Sequence, residues 1–210
     1  MSIRLYSYWR SSSAYRVRIA LNLKAIDYET VPVSLLPDIS EQKSAAYREI
    51  NPQMLVPFFE DGHVSIGQSM AILEYLEENY HGAQLLPRDE PLRSKVRAFC
   101  NIVACDIQPL GNLRVTEYIR DEYGLDPTGD WYTTWMHRGF DAAEALASEG
   151  PYAFGDEVTL ADALLVPQIY NARRFNVTLD TFPKLTAAVD ACNELDAFIK
   201  AAPEQQPDAP

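Results

Sequence analysis

Ile3-Arg4-Leu5-Tyr6-Ser7-Tyr8-Trp9-Arg10-Ser11-Ser12-Ser13-Ala14-Tyr15-Arg16-Val17-Arg18-Ile19-Ala20-Leu21-Asn22-Leu23-Lys24 sets the architecture of the opening domain. Its first six residues alternate as a strand does. The serines then supply caps for a helix in which Val17, Ala20, Leu21 and Lys24 share one face. Tyr28 to Val33 reads as a second strand. Strand–helix–strand implies a parallel pair joined by a right-handed crossover.

Working outward, a polar and weakly periodic stretch runs to Asn51. Leu55 to Glu60 and His63 to Ile66 flank Asp61-Gly62 and read as a hairpin with an Asp-Gly turn. Gln68-Ser69 caps a helix carrying Ile72, Leu73, Tyr75 and Leu76. The order βαβ, irregular segment, ββα is that of a thioredoxin-like domain. Residues 82–91, polar with Gly82, Pro87 and Pro91, read as a linker between domain 1–81 and domain 92–210. Everything beyond is helical: a long helix or bent pair from Leu92 to Tyr123, then Trp131–Ser148, Thr159–Ala172 and Pro183–Ala201, with the proline-rich tail from Ala202 as an extended arm. The fold class is therefore α/β plus all-α.

With 210 residues and 47% hydrophobic content the chain can build a real core. No run of about eighteen apolar residues suggests a membrane span, and the N-terminus lacks a signal-peptide pattern. The net charge of −12 repels nucleic acid and anionic lipid. Arg4, Arg10, Arg16 and Arg18 nevertheless cluster near the start, a locally basic corner able to hold a small anion. Cys100, Cys105 and Cys192 are an odd number without framework spacing, as expected of free thiols in a reducing cytoplasm; no CxxC occurs, the histidines are scattered, and no metal site is expected. Cys100 and Cys105 read as packing residues.

Three features carry chemistry. Ser11-Ser12-Ser13 sits where a helix begins, and a helix N-terminus stabilises anions, thiolates included. A thioredoxin places two cysteines there; serines exclude dithiol redox chemistry but can donate to a thiolate brought by a ligand. Val56-Pro57 can be cis and turn the Val56 main chain toward an extended peptide. Gln68-Ser69 offers N–H groups and a hydroxyl to a carboxylate. Each alone is an ordinary cap or turn proline. Together they describe a groove for a short anionic peptide bearing a thiol. Tyr6 could also face such a thiolate, but Ser11 is the better placed. Thr159-Leu160-Ala161-Asp162 reads as a structural capping box.

These motifs closely resemble those of the zeta-class glutathione transferases. The resemblance rests on Ser7 to Leu21, Asn51-Pro52-Gln53 with Val56-Pro57, and Gln68-Ser69 through Glu78. It continues in Ile107-Gln108-Pro109-Leu110 with Asn112-Leu113, Gly155 to Asp162, Val166-Pro167-Gln168, Asn171-Ala172 with Arg174-Phe175, and Gln206-Pro207-Asp208. The family's usual Ser-Ser-Cys has Ser13 in place of the cysteine; since glutathione supplies the attacking thiol, the assignment survives that change.

The resemblance implies a cytoplasmic homodimer with glutathione as cofactor and a small dicarboxylate as substrate. The activity implied is isomerisation of a maleyl keto acid, maleylacetoacetate before maleylpyruvate. A transferase conjugating or dehalogenating small electrophiles and a non-catalytic binding module are the alternatives. It assigns Arg10, Ser11, Ser12 and Ser13 to catalysis. Ser11, Gln42, Val56, Gln68, Ser69, Gln108 and Asn112 fall to glutathione, and Arg10, Arg114, Arg173 and Arg174 to substrate.

Overall fold

The computed structural model describes residues Ser2 to Pro210, and two compact units emerge: residues up to Gln84 together with Glu194–Pro210, and Leu85–Asn193. The first unit opens with Ile3–Ser7 (β1), Ser12–Leu23 (α1) and Tyr28–Pro32 (β2), then Ala45–Ile50 (α2), Phe58–Asp61 (β3), Val64–Gly67 (β4) and Ser69–Asn79 (α3). The sheet order is β2-β1-β3-β4, with β1 parallel to β2 and β3 antiparallel to both its neighbours. This is the thioredoxin-like arrangement expected. β1 is central, so Leu5, Tyr6 and Ser7 are all buried rather than alternating.

Two local details differ from the sequence reading. The hairpin turn consists of Gly62 and His63, because Asp61 still pairs with Val64; Gly62, at φ 61°, takes the left-handed position. The polar stretch before Asn51 contains α2, capped by the Ser44 hydroxyl, which accepts from the Tyr47 N–H at 3.1 Å. Only Tyr47 of α2 is buried, packing with Tyr6, Val33 and Phe58, so a helix this short leaves no period to read.

The second unit holds Glu90–Asn101 (α4), Leu113–Tyr123 (α5), Asp130–Leu146 (α6), Leu160–Arg174 (α7) and Pro183–Cys192 (α8). The bent pair expected from Leu92 to Tyr123 is α4 and α5, separated by a π-helical turn at Ile102–Ile107 and a 3-10 turn at Gln108–Gly111. Gly139 of α6 has no side chain because a Cβ there would collide with Ile107 of the π-helical turn. Cys100 is buried as expected, but Cys105 lies exposed on that turn, its thiol 3.9 Å from Asn101 Oδ1, and is not the packing residue expected. The capping box forms as read: Asp162, fully buried in α7, accepts from the Thr159 N–H and the Ala153 N–H, each at 2.8 Å.

The helix expected over Pro183–Ala201 breaks after Cys192 at polar Asn193-Glu194 and resumes as Asp196–Ala201 (α9). α9 packs on α1 within the first unit, and Asn22 Nδ2 donates to the Ala197 carbonyl at 2.9 Å. The tail is not an extended arm. Pro203–Gln205 forms a 3-10 turn, and the Gln206 amide donates to the Lys200 and Ala202 carbonyls at 3.0 and 2.9 Å. Among the described residues no helix is long and apolar enough to cross a membrane.

Candidate active site

The β1–α1 loop carries Arg10 and ends at Ser11, and Ser12 and Ser13 open α1. Ser11 caps α1: its Oγ accepts from the Ala14 N–H at 3.2 Å, which leaves the hydroxyl proton without an acceptor among the described residues. Ser12 is buried and Ser13 half-buried. The Arg10 guanidinium lies 4.9 Å over the Trp9 ring. The loop backbone is held from two sides. Trp9 donates its N–H to Asp208 Oδ2 at 2.8 Å, and its carbonyl accepts from Arg18 Nη2 at 2.9 Å. Tyr6 is committed elsewhere, donating its hydroxyl to Glu60 at 3.2 Å, and burial, with Glu60 nearby, raises its pKa.

At the start of α3, Gln68 adopts φ 68° and its Nε2 donates to Gln53 Oε1 at 2.7 Å. Ser69 is buried, and its Oγ accepts from Arg16 Nη1 at 3.1 Å. A buried cation thus stands behind the orphan N–H groups of α3, adding its positive charge to theirs. The Val56–Pro57 peptide is cis, and the Val56 main chain lies outside the ladder, which begins at Phe58. Asn51 Nδ2 and the Tyr47 hydroxyl both donate to the Leu55 carbonyl, at 2.7 and 2.8 Å, and fix that approach. Gln42 is buried in the 3-10 turn Glu41–Lys43, and its Oε1 has no partner among the described residues.

The basic corner expected from Arg4, Arg10, Arg16 and Arg18 does not form as a surface patch. Arg4 pairs with Glu60 at 2.6 Å, while Arg16 and Arg18 are 1% and 0% exposed. Burial draws the Arg18 guanidinium down to about 10, still charged at neutral pH. Arg16, read from the sequence as one member of that corner, was not assigned to the site it braces. The available signal was that Arg16 and Arg18 are the only charges from Ala14 to Leu21, in a helix where a buried charge demands a partner.

In the second unit the 3-10 turn is held by Trp131 Nε1, donating to the Leu110 carbonyl at 2.7 Å, and by the Tyr132 hydroxyl, donating to the Gly111 carbonyl at 2.8 Å. Gly111 is required there, since a Cβ would lie 2.9 Å from the Tyr132 ring. Gln108 is half-buried in this turn; Asn112 caps α5, its Oδ1 accepting from the Arg114 N–H at 3.2 Å. The Arg174 guanidinium sits 4.6 Å over Phe175, whose ring stacks on Tyr132 at 4.2 Å, so Arg174 joins the same aromatic end. Arg173 is drawn to Asp190 at 3.0 Å, and Arg114 points to solvent from α5.

The family model for the glutathione S-transferase N-terminal domain matches residues 5–84, and that for the C-terminal domain matches residues 118–196. A maleylpyruvate isomerase of Ralstonia sp is 47% identical, over 99% of this chain and 100% of its own. A solved holo maleylpyruvate isomerase, described as a bacterial zeta-class glutathione S-transferase, superposes with a TM-score of 0.95 at 47% identity, covering 99% of this chain and 100% of the other. A maleylacetoacetate isomerase from Anaeromyxobacter dehalogenans, solved with dicarboxyethyl glutathione and citrate in its active site, gives 0.89 at 43% identity, over 100% and 98%.

Proposed function

Since the chain belongs to the zeta-class glutathione S-transferase family, we propose that it is a glutathione-dependent cis–trans isomerase of a maleyl keto acid, with maleylacetoacetate as the first substrate and maleylpyruvate as the second. The observation that carries this reading is Ser11: a helix-capping hydroxyl whose proton has no acceptor among the described residues. The maleylpyruvate option is kept because a relative of that name reaches 47% identity.

The residues present fit glutathione. Gln42 offers a buried acceptor without a donor among the described residues, the Val56 main chain lies outside the ladder where an extended peptide can pair, and the start of α3 with Arg16 behind it suits a carboxylate. Gln68 and Ser69 are assigned to that carboxylate. Asn112, using Oδ1 as a cap, keeps its amide N–H groups for glutathione, and Gln108 completes the set.

When bound, glutathione supplies a thiolate able to add to a double bond conjugated with a carbonyl, allow rotation, and leave again unchanged. The chain's task is to favour that anion and hold the substrate. A free thiol is mostly protonated at neutral pH, and lowering its pKa by about two units takes about 2.7 kcal/mol of preference for the anion. One hydroxyl donor at a helix N-terminus is of that size. Ser12 and Ser13 shape the same turn. Arg10 and Arg174 are assigned to the substrate carboxylates, with Arg114 and Arg173 as outer charges. The ligand of the Anaeromyxobacter relative, a glutathione carrying a dicarboxyethyl group, is the kind of molecule these residues would hold. We place the enzyme in the cytoplasm, where its three free cysteines stay reduced, as a homodimer of the family type in aromatic-acid breakdown such as tyrosine catabolism.

The test mixes purified protein with each maleyl compound and trace glutathione. Isomerisation without loss of glutathione is expected. If glutathione disappears in step with substrate, the protein is a conjugating transferase; if nothing turns over, it is a binding module.

A further inference from the structure

Gln206-Pro207-Asp208 belongs to no step described so far, yet the structure ties it to the loop that carries Ser11. Asp208 Oδ2 accepts the Trp9 N–H at 2.8 Å across 199 residues of sequence. Arg18 works from the other side with three donors. Nη2 reaches the Trp9 carbonyl at 2.9 Å, Nη1 reaches Ser7 Oγ at 3.1 Å, and Nε reaches the Ala201 carbonyl at 2.9 Å. Both main-chain polar groups of Trp9 are therefore claimed, one by the tail and one by a buried guanidinium itself anchored to α9. The two residues after Trp9 are Arg10 and Ser11. Gln206 stiffens the tail by closing onto the Lys200 and Ala202 carbonyls.

We propose that Asp208 is a positioning residue for the reaction: with Arg18 it clamps Trp9, and through Trp9 it sets where the Ser11 hydroxyl and the Arg10 guanidinium stand. The proposal rests on the role given to Ser11 above. A tail needed merely to cover α1 would use apolar contacts and the Asn22–Ala197 bond. A carboxylate delivered to a loop amide instead fixes a main-chain position to within a hydrogen bond's tolerance. Misplacing a catalytic group by about 1 Å is costly.

The experiment measures the pKa of the bound glutathione thiol, from thiolate absorbance with glutathione alone, in wild type, Asp208→Ala, Asp208→Asn and Asn22→Ala. It adds kcat and KM for the maleyl substrate and thermal melts. Asp208→Ala should raise the bound-thiol pKa and lower kcat by about threefold to tenfold, with a smaller change in KM for glutathione. Asp208→Asn retains an acceptor for the Trp9 N–H and should recover most of the loss. Asn22→Ala removes one bond between α1 and α9 and leaves the Asp208 and Arg18 bonds to Trp9 in place; it should lower the melting temperature and leave the thiol pKa unchanged. If Asp208→Ala does not fold, Asp208→Glu, which keeps the charge but displaces the acceptor from the Trp9 N–H by one methylene, serves in its place and should shift the thiol pKa in the same direction. Equal thiol pKa values in wild type and Asp208→Ala, or equal shifts in Asp208→Ala and Asn22→Ala, overturn the clamp. A wild-type protein that does not lower the thiol pKa at all overturns the role of Ser11 itself, a distinct result.

Discussion

The two units manage polar side chains in opposite ways. In the first, the groups nearest the proposed chemistry are buried or pinned: Ser69 on Arg16, Trp9 between Asp208 and Arg18, Gln42 beneath the surface. In the second, the best-pinned polar group is Asp162, which serves the fold, whereas Arg114, Arg173 and Arg174 lie exposed. A ligand that never changes rewards a rigid, desolvated network, because each donor is aimed before binding. Side chains on a wet surface adjust, which suits a substrate that varies between relatives.

The comparison is broken most directly at Asp162. Asp162→Ala removes the capping box and orphans two buried N–H groups, and should cost about 3 kcal/mol or more of unfolding free energy in denaturant titrations. The bound-thiol pKa should not move. A loss under about 1 kcal/mol would mean that the second unit does not depend on its own pinned group. Next in size is Ser11→Ala: turnover should fall by at least about tenfold and the bound-thiol pKa should rise, for about 1 kcal/mol of lost cap stability. Unchanged rate and pKa would remove Ser11 from the mechanism.

On the exposed side, Arg174→Ala should raise KM for the maleyl substrate roughly tenfold, and more than KM for glutathione. Arg173→Ala should change it by less than about twofold, because Asp190 already neutralises that charge. Reversed magnitudes in steady-state kinetics would exchange their roles. Smallest of all, Ser13→Ala should keep most activity and Ser13→Cys should be tolerated. Near-complete loss in Ser13→Ala, with an unchanged circular dichroism spectrum, would promote Ser13 to the level of Ser11.

Much of the first unit is legible locally. Alternation gives β1, serine caps give α1, and Gln68-Ser69 marks α3, because each signal spans a few neighbouring residues. Asp162 was readable for the same reason, three residues from Thr159. What could not be read is what spans the chain. Arg16 finds Ser69 after 53 residues and Arg18 finds Ala201 after 183, so neither partner leaves a local trace. Charge on the page suggested an exposed basic corner; burial turned two of its four members into internal braces. α2 and the π-helical turn at Ile102–Ile107 escaped because neither sustains a period over two turns.

Trp9 is synthesised 199 residues ahead of the Asp208 that holds it. Throughout elongation the nascent first unit has its sheet and α1 but neither α9 nor the carboxylate that holds its loop, and 109 residues of the other unit, Leu85 to Asn193, must emerge in between. A ribosome that stalls between Asn193 and Asp208 therefore releases a chain whose glutathione-binding residues are present and whose Trp9 amide lacks the carboxylate that holds it. The Asp208 carboxylate thus reports that the whole of the other unit has been made, and delivers that report to a loop synthesised before it.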